Sequence, residues 1–217
     1  YRKRFTPTSK GEAPLIAQLC GSDISKVLPT ALSIQPYVDA IDINCGCPQG
    51  IAKRGKYGAY LMEEPERLIK VVRCLVRHLD IPVTVKVRLL LGTDKYGNDD
   101  NTKCNVQGSL QLYERLVDEG VSMLTIHGRS RLQKGQYTQE ADWDAIRQAV
   151  ELLGHRIPIL ANGSISNLQN VRDCLKLTGA DGVMTSEAIL EYPAFFSLEP
   201  GRNRTSSSSK STSSVCG

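Results

Sequence analysis

The sequence lacks features that would each indicate a particular class of protein. It has no run of about 18 apolar residues, as a transmembrane helix requires, and no recognisable secretory signal. Aromatic residues make up 6% of the chain, and 27 Lys and Arg against 23 Asp and Glu give a net charge of +4. We therefore expect no membrane partner, and the charge is compatible with nucleic acid without predicting it.

Cysteine is also sparse. The seven cysteines are an odd number and too few for a disulfide scaffold in 217 residues, which favours a reducing, intracellular setting in the cytoplasm or nucleus. Cys45 and Cys47 are spaced like one half of a zinc site, but no second pair lies at a useful distance along the chain. We expect no metal ligands.

Short β-branched runs alternate regularly with amphipathic helical stretches. The predicted strands are Leu15–Leu19, Ala40–Asn44, Val83–Arg88, Met123–His127, Ile157–Ala161 and Gly182–Met184. The predicted helices are Asp23–Ser33, Glu64–Leu79, Val106–Glu119, Trp143–Leu153 and Asn167–Leu177, with another starting near Glu187. Six successive βα units predict a parallel α/β sheet, either a (β/α)8 barrel or a doubly wound sheet.

The positions of the polar residues favour the barrel. Nearly every predicted strand has reactive groups at or just beyond its C-terminal end, as around a barrel rim, whereas an open sheet concentrates its site at one switch point. The turns at Asn162–Ser164 and Gly182–Glu187 are typical of the phosphate sites after strands seven and eight of a barrel. The two missing units would then precede Tyr1, which predicts a truncated TIM barrel.

Two segments are predicted to lie outside the barrel core. Gly92–Gln107 is polar and is expected to form a mobile loop between a strand and its helix. The Ser-rich segment 199–217 is expected to be a disordered tail. Residues 1–198 would then form the partial barrel domain.

The segment Asn44–Gln49 follows the apolar run Ala40–Ile43 and contains the candidate catalytic residue Cys47. A cysteine thiol has a reference pKa of about 8.5, so at neutral pH it is mostly protonated and can donate a proton. Just beyond it lies Lys53–Gly58, a basic segment that we expect to be flexible. A proton donor beside an anion-binding segment suggests a polyanionic substrate.

Cationic and imidazole side chains end the next two predicted strands. Lys86 and Arg88 alternate along one strand and so share a face. Because unpaired buried charge is costly, they need an anionic or electron-rich ligand such as a flavin or nucleotide, or else salt bridges to carboxylates. His127 is a candidate donor to a cofactor, and Arg129 is a candidate contact to a nucleic-acid phosphate.

The last two turns are candidates for a phosphate cradle. Asn162-Gly163-Ser164 precedes one predicted helix, and Thr185-Ser186-Glu187 opens another. Unpaired N–H groups and the helix dipole favour phosphate at such positions. Because the side chain of Glu187 is anionic, we expect backbone amides to make the phosphate contacts there.

Together these residues resemble the tRNA-dihydrouridine synthases, in particular the eukaryotic branch that modifies the D-loop of tRNA. The resemblance runs from about Ala13 to Phe195. The segments that carry it are Asn44-Cys45-Gly46-Cys47-Pro48-Gln49-Gly50-Ile51-Ala52-Lys53-Arg54-Gly55, Val85-Lys86-Val87-Arg88, Thr125-Ile126-His127-Gly128-Arg129, Ala161-Asn162-Gly163-Ser164-Ile165 and Gly182-Val183-Met184. The first segment is highly specific, and the later ones support it by their order.

The resemblance implies a (β/α)8 barrel of the FMN-linked oxidoreductase type, with NADPH or NADH reducing the flavin. Hydride passes from the flavin to C6 of a tRNA uracil, and Cys47 protonates C5 to give 5,6-dihydrouridine. The implied FMN contacts are Gln18, Lys86, His127, Asn162, Gly163, Ser164, Ser186 and Glu187. The implied substrate contacts are Asn44 and Arg88 for the uracil, and Arg129, Lys53 and Arg54 for the RNA.

Parts of the family pattern differ in this chain. By comparison with the family, we expect the first strand and the helical tRNA-binding domain to lie outside these 217 residues. Ser186-Glu187 stands where most members have Gly-Arg, and Gly92–Gln107 reads as an insertion. Two alternatives therefore stay open: a catalytically inactive RNA-binding remnant, and an FMN barrel reductase of a small pyrimidine. The full-length protein is expected to be monomeric.

Overall fold

Six parallel strands form the sheet on which the candidate site is built. The computed structural model describes residues 14–195. The strands pair in the order β1 (Ile16–Leu19), β2 (Ala40–Asn44), β3 (Val83–Arg88), β6 (Met123–His127), β7 (Ile159–Asn162) and β8 (Gly182–Met184). Every neighbouring pair in this sheet is parallel. β4 (Leu90–Thr93) and β5 (Asp99–Asn105) form a separate antiparallel pair.

Helices follow the strands of the large sheet. They are α1 (Ile24–Ile34), α2 (Gly50–Gly55), α3 (Pro65–His78), α4 (Val106–Asp118), α5 (Trp143–Leu153), α6 (Leu168–Thr178) and α7 (Glu187–Glu191). None of these described helices has both the length and the apolar character that crossing a bilayer requires. The alternation confirms the predicted βα order, and within residues 14–195 β1 and β8 each pair with a single strand of this sheet, so the (β/α)8 barrel is incomplete.

The core lies between the sheet and its covering helices. Ile41 and Ile43 lie on one face of β2 and are fully buried. Asp42, between them on the other face, is buried as well. In α3, Leu68, Val72 and Leu75 present one buried face, and Pro65 occupies the first turn, where its missing N–H costs no hydrogen bond. Burial of both sheet faces is what a parallel sheet requires.

Side-chain caps fix where four of the helices begin. Asp23, Asn105, Asp142 and Asn167 each accept a hydrogen bond from a backbone N–H in the first turn of α1, α4, α5 and α6, respectively. Such a cap is worth about 1 kcal/mol, because it satisfies a donor that has no partner within the helix. These caps therefore also fix the loops between the strands and the helices.

The prediction of a mobile loop over Gly92–Gln107 was wrong in part. This stretch lies mostly in the β4–β5 hairpin, and α4 begins at Val106. Asp94 closes the turn, because its Oδ1 accepts from the N–H groups of Tyr96 and Asn98 at 2.8 and 2.9 Å. The polar composition conceals the strands, since the hairpin lies outside the large sheet and carries few apolar residues.

The basic segment after Cys47 is also more regular than predicted. Lys53 and Arg54 lie in the last turn of α2, and Lys56, the residue that caps its C-terminal end, has a left-handed φ of 51°. A six-residue 3-10 helix, Gly58–Glu63, follows. Elsewhere the predicted strands and helices agree with the structure to within two residues. The predicted tail, 199–217, lies outside the described residues.

The Tyr113→Phe substitution tests the bond between α4 and the end of β3. Tyr113 is fully buried, and its hydroxyl donates to the backbone carbonyl of Arg88 at 2.8 Å. Losing this donor should lower the free energy of unfolding by about 1–3 kcal/mol, measured by urea denaturation. Tyr37→Phe is the control, because Tyr37 is 56% exposed. Equal changes in the two variants would contradict the prediction.

Candidate functional site

A polar cavity opens at the C-terminal ends of β3, β6, β7 and β8. Its volume is about 300 Å³. Nine residues that the sequence predicts for the site line it: Lys86, Arg88, His127, Arg129, Asn162, Gly163, Ser164, Ser186 and Glu187. Parallel strands bring their C-terminal ends to one rim, which explains why residues so far apart in the chain meet here. We call this the anion cavity.

Lys86 is held in the anion cavity by an oriented amide. Its Nζ donates to Asn162 Oδ1 at 2.8 Å, and Asn162 Nδ2 donates to the carbonyl of Met184 at 2.7 Å. Burial and, after it, the neighbouring charge of Arg88 lower the pKa of Lys86 to about 8, and the charge of Asp42 opposes this shift. The charge on this ammonium is therefore sensitive to mildly alkaline pH and to any bound anion.

Arg88 joins the anion cavity to the loop that contains Cys47. Its side chain donates from Nε to the carbonyl of Gly46 at 2.7 Å and from Nη1 to the carbonyl of Ser130 at 3.0 Å. Burial lowers its pKa to about 10, so it stays protonated at neutral pH. Among the described residues, neither Arg88 nor Lys86 forms a salt bridge with a carboxylate. Within residues 14–195, carboxylate pairing therefore does not account for these two cations, and their need for an anionic ligand stays a prediction.

His127 is neutral in the anion cavity. Burial holds its pKa far below the usual range, and the charges of Arg88, Lys86 and Arg129 add to the effect. Arg129 Nη1 lies 3.2 Å from His127 Nε2. Because a guanidinium only donates, Nε2 must accept, which assigns the proton of the imidazole to Nδ1. His127 thus keeps one N–H for a ligand.

The structure places Arg129 inside the anion cavity, where its guanidinium has several partners. Nη2 donates to Ser164 Oγ at 3.1 Å, and Nε donates to the carbonyl of Gln139. Ser164 Oγ also accepts from the N–H of Ala141 at 2.8 Å. The RNA contact predicted for Arg129 stays a prediction, and its position beside His127 equally suits a ligand held in the cavity.

Gly163 is required by the close approach of His127. Its φ of 106° is a conformation that L side chains rarely adopt, and an added Cβ would lie 2.9 Å from Cδ2 of the imidazole. Ser164 follows with a φ of 57°. Trp143 Nε1 donates to the carbonyl of Gly163 at 3.1 Å, so this tight turn is held from outside the cavity as well.

The turn after β8 forms another wall of the anion cavity. Thr185, Ser186 and Glu187 all line the cavity. Thr185 Oγ1 donates to the carbonyl of Ile165 at 2.8 Å, which connects this turn to the one after β7. The side chain of Ser186 makes no capping bond to α7. Glu187 contributes the carboxylate in this wall, as the sequence indicated.

The Cys47 loop is held by the side chain of Asn44. Asn44 Oδ1 accepts from the N–H groups of Gly46 and Cys47 at 2.9 and 3.0 Å. Asn44 Nδ2 donates to Gln18 Oε1 at 2.7 Å. On the other side, an added Cβ at Gly58 would lie 2.6 Å from the carbonyl oxygen of Cys47. The loop is therefore fixed, with Cys47 half-buried at the rim.

The remaining predicted site residues lie around these two features. Gln18 lines a separate cavity of about 630 Å³ beside β1, together with Cys20, Ser22 and Tyr57. Lys53 and Arg54 are exposed on α2, outside both cavities. The structure thus brings the anion cavity and the Cys47 loop together through Arg88, and leaves the two basic residues of α2 on the neighbouring surface.

Some residues contribute to this site without a role predicted from sequence. Asp42 and Thr84 are buried next to Gln18 and Lys86, and Lys134 Nζ donates to the carbonyl of Pro48 in the Cys47 loop. A carboxylate within the apolar run of β2 is a sequence signal that could have identified Asp42. No comparable signal marks Lys134, because its contact depends on how two loops meet.

The fold and the site define a βα-barrel protein that has an anion cavity and a thiol on the same rim. The model of the dihydrouridine synthase family (Dus) matches residues 1–216, and the chain belongs to this family. It is 39% identical over 198 residues to the tRNA-dihydrouridine(16/17) synthase of Schizosaccharomyces pombe, which covers 90% of this chain and 46% of that protein. The corresponding protein of Saccharomyces cerevisiae is 36% identical over 196 residues, covering 90% and 43%. The chain spans less than half the length of these relatives.

Solved structures share the fold at low sequence identity. A mandelate oxidase aligns with a TM-score of 0.53 and 14% identity, over 80% of this chain and 50% of its own. The DHODH of Eimeria tenella aligns with a TM-score of 0.53 and 9% identity, over 77% of this chain and 49% of its own. At these identities the comparison concerns the fold alone.

Anion binding to the cavity should depend on the charge of Lys86. The pKa of this residue is about 8, so affinity for sulfate should fall as pH rises above 8, approaching about tenfold per pH unit for one linked proton. Lys86→Met should bind sulfate weakly and lose this pH dependence, as measured by calorimetry on the ligand-free protein. Lys70→Met, at an exposed position of α3, should keep the parent profile. An unchanged pH dependence of sulfate affinity in Lys86→Met would exclude Lys86 as the group whose protonation controls binding.

Proposed function

We propose that the protein containing this chain reduces a D-loop uridine of tRNA to 5,6-dihydrouridine, with FMN as cofactor and NADPH or NADH as reductant. Family membership and the similarity to tRNA-dihydrouridine(16/17) synthases support this activity. The structural observation that carries it is the bond between Arg88 and Gly46, which places a thiol loop against the anion cavity. An intracellular location and a monomeric state belong to the same proposal.

The anion cavity suits the phosphate end of FMN. Three cationic side chains, Lys86, Arg88 and Arg129, face a single lining carboxylate, that of Glu187. Neutral His127 has an N–H to donate, and the turns at Asn162–Ser164 and Ser186 supply further polar groups. Gln18, beside the Cys47 loop, would contact the cofactor beyond its phosphate. When bound, reduced FMN supplies the hydride for C6 of the uracil.

Cys47 would donate the proton that C5 of the uracil requires. Its loop is held by main-chain bonds to Asn44 and Arg88, so the thiol is presented from a fixed backbone. Arg88 interacts electrostatically with Cys47.

Asn44 and Arg88 are proposed contacts of the uracil as well. In the structure both side chains use donors or acceptors to hold the Cys47 loop. A uracil bound beside Cys47 would therefore lie against groups that already have fixed orientations. Preorganised groups of this kind lose little freedom when a substrate binds.

The tRNA would approach over α2. Lys53 and Arg54 are exposed in the last turn of this helix, which directly follows the Cys47 loop. A uridine in folded tRNA must leave its stack to reach a buried flavin, and cations around the pocket hold the neighbouring phosphates. This exposed basic helix favours RNA over a small pyrimidine as the substrate.

Cys47→Ala should abolish dihydrouridine formation. The substitution removes the proposed proton donor, which typically contributes about 100-fold or more to the rate. The measurement is mass spectrometry of tRNA from a deletion strain that expresses the full-length variant. Cys74→Ala, on the outer helix α3, should restore the modification fully. Wild-type levels from Cys47→Ala would show that the acid is another group, and turnover of free uracil would favour the small-pyrimidine alternative.

Lys53→Ala and Arg54→Ala should weaken tRNA binding rather than the chemical step. Each substitution removes one phosphate contact, so KM for tRNA should rise and the slope of log affinity against log salt should fall by about 1. kcat should change little. Lys176→Ala, on the outer helix α6, is the matched control. A loss confined to kcat would place these residues in the chemistry instead.

A further inference from the structure

A chain of hydrogen bonds runs from a buried carboxylate to the Cys47 loop. Asp42 lies in the middle of β2 and is 7% exposed. Its Oδ2 accepts from Gln18 Nε2 at 2.7 Å. Gln18 Oε1 then accepts from Asn44 Nδ2 at 2.7 Å, and Asn44 Oδ1 accepts from the N–H groups of Gly46 and Cys47.

Both ends of this chain fix its direction. An ionised carboxylate only accepts hydrogen bonds, and a backbone N–H only donates them. Between these ends, the amides of Gln18 and Asn44 must each present nitrogen toward Asp42 and oxygen toward Cys47. If either amide turned over, two donors or two acceptors would face each other, and the grip on the Cys47 loop would be lost.

The burial of Asp42 is not explained by packing. Desolvation raises its pKa, and the bonds from Gln18 and Thr84 together with the charge of Lys86 oppose that shift. An apolar residue would fill this position of β2 without the cost of burying a charge. Such a residue would, however, leave Gln18 Nε2 without its acceptor.

We propose that Asp42 is a positioning residue for Cys47, acting through the oriented amides of Gln18 and Asn44. The effect on catalysis rests on the proposed function, whereas the positioning of the Cys47 loop can be measured on the protein without substrate. Asp42 does not contact substrate in this proposal. It supplies the acceptor that determines which way the two amides point.

Three variants of the full-length protein separate this role from others. Asp42→Leu removes the acceptor with little change in shape. Asp42→Asn keeps one acceptor for Gln18, because its NH2 group can donate to the hydroxyl of Thr84. Thr84→Val removes the other bond of the carboxylate, Thr84 Oγ1 to Asp42 Oδ1 at 2.7 Å, and leaves the amide chain intact. It is therefore the matched control for disturbing the same buried cluster.

Amide hydrogen exchange at Gly46 and Cys47 measures directly how firmly Asn44 holds these two N–H groups. With selective ¹⁵N labelling of glycine and cysteine, exchange at both amides should become at least about tenfold faster in Asp42→Leu. In Asp42→Asn and Thr84→Val it should stay within about threefold of the parent. Should Asp42→Leu fail to fold, the double variant Asp42→Leu/Thr84→Val takes its place, because it removes both partners of the buried hydrogen bond and leaves neither unsatisfied.

The kinetic readout tests the link to chemistry. In Asp42→Leu, kcat for dihydrouridine formation should fall by about tenfold or more, while KM for tRNA changes less than about threefold. Equal exchange rates in Asp42→Leu and Thr84→Val would overturn the positioning role. If Asp42→Asn lost protection and kcat as strongly as Asp42→Leu, the charge rather than the acceptor would be what matters, and this too would overturn the role. Faster exchange with unchanged kcat would overturn the catalytic part. If the parent forms no dihydrouridine, the proposed function fails, and the exchange data still test the positioning.

Discussion

The site depends on the guanidinium of Arg88, at the end of β3. Its side chain binds the carbonyls of Gly46 and Ser130, so it connects the loop after β2 with the loop after β6. Its own carbonyl accepts from the buried hydroxyl of Tyr113, which connects it to α4. A planar cation with several donors in fixed directions can hold two loops at once, which a lysine cannot do in the same way. Through this residue the packing of the barrel determines where the thiol loop lies.

The electrostatics of the anion cavity follow from three cations that lie close together and, within residues 14–195, form no salt bridge with a carboxylate. Burial, and after it the charges of the neighbouring cations, lower the pKa of Lys86 to about 8 and keep His127 neutral. An anion that enters the cavity would relieve this repulsion and favour full protonation of Lys86. The stored repulsion thus becomes part of the affinity for an anionic ligand, and the proton uptake links that affinity to pH.

The sequence predicted the features that depend on local pattern. Strand and helix periodicity identified the βα alternation, and the rule that parallel strands end at one rim predicted that Lys86, His127 and Asn162 would meet. The β4–β5 hairpin was not predicted, because its strands are polar and its turn is closed by Asp94, a side-chain effect that composition hides. The direction of the amide chain through Gln18 and Asn44 was not predicted either. It depends on cross-strand register, which pairs Gln18 with Asp42 and Asn44 with Lys86.

The peptide between Gly46 and Cys47 shows why the register matters for chemistry. Its N–H, which is that of Cys47, donates to Asn44 Oδ1 from the β1–β2 side, and its carbonyl, which is that of Gly46, accepts from Arg88 Nε on the β3 side. A peptide plane held at both polar atoms has little freedom to tilt, and this one leads directly into Cys47. Because these bonds use main-chain atoms, they set the position of Cys47 without occupying its sulfur. The proton donation proposed for Cys47 needs that combination: a fixed backbone, and a thiol that is not committed to holding the backbone in place.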